Sequence, residues 1–214
     1  MHDAPRHGRR LAQPYIGDVA TARVSSRVAI LFAVSAIALE ALAGTLYWAA
    51  AGFADGLNID PLTVLGSGPT GASLIRWGSL IDMFGYLCIA PVCLYLRERY
   101  SATRLIDVYT AAGLALAVIG SIGAVAMATA APPLISEYAS VSAAQKVALA
   151  PVFETLYRAV VVGMWQTLET IPATIWLLGT AGAARREGPR PVFAILYLLG
   201  AINCGIALFR LIAA

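Results

Sequence analysis

The chain has 214 residues, 59% of them hydrophobic and 13% charged, with a net charge of +3. That balance lies outside the range of ordinary soluble domains. Its basic segments are short and flank apolar runs, which argues against nucleic-acid binding. Both observations point to an integral membrane protein in contact with a lipid bilayer.

Residues 1–26 are polar, contain Pro5, Pro14 and Gly17, and show no sustained period, so they read as a loosely ordered cytoplasmic tail. Residues 27–214 hold five apolar runs, Arg27–Phe53, Ile75–Leu96, Leu105–Leu134, Val160–Gly182 and Val192–Ala213. Each has about 20 residues or more, enough for a helix to cross the ~30 Å hydrocarbon core. The expected fold is therefore an all-α, polytopic transmembrane helical bundle of five spans, with no room for a separate soluble domain. The first run is longer than a signal peptide's apolar core and is interrupted by Glu40, so retention is expected despite the alanines at 49 and 51.

The first connection, Ala54 to Leu74, carries Gly56, Pro61, Gly66, Gly68, Pro69 and Gly71 and predicts an irregular, turn-rich loop. The short stretch Arg97–Arg104 forces spans two and three into an antiparallel hairpin. Pro132-Pro133 is expected to end span three, Ser142–Ala150 to form a short surface helix, and Pro151 to restart the chain. From Pro151 to Ala183 the pattern is nearly unbroken and leaves open one helix or two, with a kink at Pro172.

Eleven arginines lie in the tail and in the loops after spans two and four. Four basic residues, Arg76, Lys146, Arg158 and Arg210, lie on the other side. The positive-inside rule then places the N-terminus inside and the C-terminus outside. Arginine outnumbers lysine fourteen to one, a codon bias of GC-rich bacterial genomes, so the expected location is a bacterial cytoplasmic (inner) membrane.

Small residues stripe the spans at four-residue spacing. Gly113, Ala117, Ser121 and Val125 form one row, Gly120, Ala124 and Ala128 a neighbouring row, and Ala201 and Gly205 a third in span five. Such rows let helix backbones approach closely and serve bundle formation, homo-oligomerisation or a membrane-protein partner equally. The cysteines at 88, 93 and 204 make no disulfide framework.

Ionisable groups inside spans are the candidates for chemistry, because lipid makes each of them costly. Glu40 and Glu169 fall near mid-span, with Asn203 at similar depth. Asp82, Arg158 and Arg210 fall in the outer portion. Glu154, Arg158, Trp165 and Glu169 share one face of an ideal helix. These groups are expected to converge on a polar cavity open to the outside, with Arg158 or Arg210 pairing a carboxylate. The plainer reading makes them structural helix–helix pairs, and on sequence it is the stronger. Trp48, Trp77, Tyr47 and Tyr157 read as interfacial belt residues, with an aromatic cage for a cation or quinone the sharper alternative.

No catalytic motif appears, and both histidines, His2 and His7, lie in the tail. No metal site and no cofactor is therefore expected, and enzyme activity is the less favoured class. The sequence reading is a structural or interaction subunit of a membrane. A small transporter or ligand-binding protein using the buried carboxylates comes second, and an intramembrane enzyme third.

At span two, Leu74-Ile75-Arg76-Trp77-Gly78-Ser79-Leu80-Ile81-Asp82-Met83, with the helix end Leu94-Tyr95-Leu96-Arg97, resembles bacterial multi-pass proteins of domain of unknown function family 4386. The size and the arginine-led first span are similar too. The resemblance, mainly over residues 27–97, implies that Arg76 and Asp82 are a characteristic pair, each meeting another partner. It brings no activity with it.

Overall fold

The structure is a computed structural model describing residues 24–53, 60–187 and 190–213, with side-chain surroundings described over 24–53, 60–186 and 191–205. The tail up to residue 23, the connection 54–59 and the side chain of Arg210 lie outside the described residues. Every regular element among the described residues is helical: α1 (Ser26–Ala50), α2 (Pro61–Leu65), α3 (Gly68–Arg99), α4 (Ile106–Ser140), α5 (Ala143–Tyr157), a π-helical segment (Arg158–Leu168), α6 (Thr170–Glu187) and α7 (Arg190–Ala213). Four stretches are long and apolar enough to cross a membrane, namely Ser26–Ala50, Gly68–Arg99, Ile106–Ser140 and Ala143–Arg186. The shorter apolar stretch Pro191–Gly205 lies in α7.

Local chemistry sets the helix ends. Ser25 accepts from the Val28 N–H at the start of α1. Gly52 (φ +67°) and Phe53 (φ +57°) close its far end in the left-handed region. Asp60 caps α2 through the Thr63 N–H at 2.9 Å, and Gly68 (φ +70°) turns the chain into α3 ahead of Pro69. Arg97 bonds Asp107 at 2.6 Å across the turn between α3 and α4. Ser142 and Gln145 form the capping box that starts α5.

Helices α3 and α4 form the expected hairpin and the centre of the bundle; α1 lies along α3, while α6 packs on α4 and carries α7. Two apolar clusters hold the ends. One gathers Leu65, Ile75, Met127, Ile135, Phe153 and Val160, and the other Cys93, Leu96, Tyr100, Ile106, Leu116 and Trp176. The outward faces carry Ile30, Leu31, Val34 and Ile37 on α1 and Ile195, Leu198 and Ile202 on α7. An apolar exterior of this kind suits lipid contact.

The glycines of α4 are seats for aromatic rings. A Cβ at Gly113 would come within 2.9 Å of Trp176 and would overlap the Cys93 thiol. One at Gly120 would overlap the ring of Tyr86, and one at Gly123 the indole of Trp165. These rows therefore serve packing within the chain. Val125, expected in a row, is 43% exposed, so the packed face turns towards Gly120, Gly123 and Ala124.

Four local expectations are corrected. Pro132-Pro133 does not end span three; α4 runs on to Ser140, with Ala131, Pro132 and Ile135 buried. Proline removes a helical hydrogen bond, but packed flanks keep the helix going. The described part of the first connection is mostly helical, because α3 begins at Gly68, inside the expected loop. Pro151 lies within α5. The irregularity between residues 151 and 183 is the π segment preceding Pro172, which itself sits in the first turn of α6. There the Glu169 N–H bonds the Met164 carbonyl, and the Thr167 hydroxyl bonds the Val162 carbonyl at 2.7 Å, both five residues back. The run Val160–Val162 followed by Gly163 is a weak α-helix former, which makes the wider turn less costly.

Candidate functional site: a carboxyl pair in an aromatic cavity

Glu40 leaves α1 at the point where α3 offers a glycine. A Cβ at Gly85 would stand 2.7 Å from Glu40 Oε1 and 3.3 Å from its carboxyl carbon. The missing side chain is what lets the carboxyl lie on the α3 backbone. Asp82, three residues before Gly85, faces the same way and is buried. The carboxyl groups of Glu40 and Asp82 come within hydrogen-bonding reach of each other. Glu40 Oε1 is enclosed without a hydrogen-bond partner.

The carboxyls line a cavity of about 740 Å³. Its walls come from α1 (Gly44, Tyr47, Trp48), α2 with its cap (Asp60, Val64), α3 (Ile75, Tyr86), α4 (Met127), and the α5–π segment (Tyr157, Arg158, Trp165, Gln166). The rings are fixed by polar contacts. Tyr47 shares a 2.8 Å hydrogen bond with Ser79, whose hydroxyl also reaches the Ile75 carbonyl. The Trp165 indole N–H donates to the Gly120 carbonyl on α4 at 3.3 Å. The rings of Tyr47 and Trp165 meet edge to face, 6.0 Å apart at 64°.

Of the six sequence candidates, Glu40, Asp82 and Arg158 line this cavity. Glu169 sits one bond behind the wall and accepts from the Tyr86 hydroxyl at 2.7 Å. Asn203 lies apart: its amide donates to the Thr170 carbonyl (3.0 Å) and the Thr174 hydroxyl (2.8 Å), tying α7 to α6. Of the two arginines expected to pair one of these carboxylates, Arg158 instead bonds Glu154 at 2.7 Å on its own helix, and the Arg210 side chain lies outside the described residues. An i, i+4 partner is met without any rearrangement, and with the Arg158 side chain 69% exposed the pair adds little stability. The widened turn of the π segment also ends the single ideal face from Glu154 to Glu169. Gly85 was missed by sequence reasoning; its signal was a glycine three residues after an aspartate within span two.

Among the described residues, no group of three or more histidine, cysteine or acidic side chains is placed to hold a metal ion. The site is an aromatic-walled cavity lined by the carboxyls of Glu40, Asp82 and Asp60, in a helical bundle with an apolar exterior. No protein-family model, curated protein or solved structure matches the chain.

The Asn203 contacts give a first prediction. Asn203→Leu should lower stability by about 1 kcal/mol, the usual worth of an interhelical polar contact, and leave the cavity intact. Thermal unfolding in detergent, followed at the tryptophans, measures it; an unchanged midpoint would mean that the amide contributes nothing.

Proposed function

We propose that this is a five-span membrane protein that binds, and carries between the two sides of a membrane, a solute held at the Glu40–Asp82 carboxyl pair. The observation behind this reading is the pair's setting, two buried carboxyls side by side on the wall of an aromatic-lined cavity. Magnitudes favour it over structural glue. A charged residue at mid-span costs about 2.5–3.5 kcal/mol on insertion scales, while an interhelical polar contact returns about 0.6–2 kcal/mol. Two carboxyls bonded to one another are a poor way to fasten α1 to α3. On the arginine count, the N-terminus is cytoplasmic, the C-terminus lies outside, and the cavity opens outward.

Two measurements test the reading. A hydrophobic carbodiimide, which adds to protonated carboxyls in apolar surroundings, should label Glu40 or Asp82 in intact membranes. The combined change Glu40→Gln with Asp82→Asn should abolish that labelling. Absence of label from both residues would defeat the proposal. Tags at the two ends should report from opposite compartments, and a common compartment would remove the five-span topology.

A partner-binding role is the second reading, and α7 favours it. Ala201 and Gly205 are exposed there, and a Cβ on Gly205 would meet nothing within 4 Å. Oxidative crosslinking through the neighbouring Cys204, in a Cys88→Ser background, should give a dimer if this row seats a second copy. Its absence would leave the row to lipid.

A further inference from the structure

We infer that the solute is an organic cation with a bulky apolar body, an inference that rests on the carboxyl-pair reading above. Charge, surface and size each narrow the class. The acidic side chains of Glu40, Asp60 and Asp82 line the cavity, and Arg158, the one basic side chain among its lining residues, is engaged by Glu154. Carboxylates on this wall repel an anion and attract a cation. The rings of Tyr47, Tyr86, Tyr157 and Trp165 line the same space, and aromatic faces attract cations while excluding water. A bare inorganic cation wants a full shell of oxygen ligands, and this wall is mostly ring and aliphatic carbon. A volume of about 740 Å³ falls within the ~300–1,000 Å³ usual for drug-sized guests.

The probe is tetraphenylphosphonium, with tetraphenylborate as its isosteric anion, titrated into the full chain in lipid nanodiscs. Tryptophan fluorescence and calorimetry follow the binding. The phosphonium should bind saturably, one per chain, and the borate should neither bind at that site nor compete. Glu40→Gln alone keeps the Asp82 charge and should weaken binding less than threefold. Glu40→Gln combined with Asp82→Asn removes the charge and should weaken it at least thirtyfold. Equal uptake of both ions by parent and double variant would be partition into apolar surface and would overturn the inference. Carbodiimide labelling without phosphonium binding would overturn the ligand class and leave the carboxyl site standing. Loss of both signals would remove the site as well.

Discussion

Gly120→Leu should lower the stability of the bundle by about 3 kcal/mol, at the upper end of overpacking costs. A Cβ at this position already overlaps the Tyr86 ring, and that ring has nowhere to go. It is buried at 8% exposure, and its hydroxyl is committed to Glu169 at 2.7 Å. The leucine must either push α4 away from α3 or break the Tyr86–Glu169 bond, which leaves a buried carboxyl without its donor. Thermal unfolding in detergent gives the loss. Tyr86→Ala in the same chain opens space and should return part of it, so the double variant should be more stable than the sum of the singles. Strict additivity would show that the glycine and the ring are not in contact. Gly123→Leu should behave alike against Trp165, since the same overlap occurs there.

Glu40→Leu combined with Asp82→Leu should have the opposite sign. Removing two carboxyls from an apolar bundle and filling their place with leucine should raise stability by about 2–4 kcal/mol, as when buried charged groups are replaced by hydrocarbon. Binding at the cavity should vanish. A gain in stability coupled to loss of function is the mark of groups kept for a purpose other than folding. Both positions must change together, because either single replacement strands the other carboxyl without a partner. Chemical or thermal unfolding of parent and double variant, side by side, decides between the roles. A loss of several kcal/mol would make the pair a structural fastener and remove the functional proposal.

The carboxyl pair was half legible in the sequence. Glu40 and Asp82 stand out because a charge within an apolar run is costly wherever it falls, and counting residues from the span ends gave their depths. Their meeting was not legible. It depends on how far α1 and α3 are each rotated about their axes. In spans this apolar, hydrophobic period gives no such angle, because lipid rewards every face alike. The glycines fix it instead: Gly85 admits the Glu40 carboxyl and Gly120 admits Tyr86. Which small residue receives which ring is a matter of three-dimensional fit. Asn203 shows the converse, since depth arithmetic grouped it with the carboxyls, while packing gave it to Thr170 and Thr174.

By itself, then, the sequence determined that this chain is a set of long apolar helices, where most of them begin and end, and which few side chains are costly in lipid. Those properties follow from local energetics, namely backbone groups that must bond internally and side chains sorted by their transfer cost. Only the tertiary structure decided that Arg158 turns to Glu154, that the π segment sets Trp165 against Gly120, and that two carboxyls meet beside aromatic rings. Each of these depends on rotation and close contact between helices, and contact at that range is a property of surfaces that no single helix possesses alone.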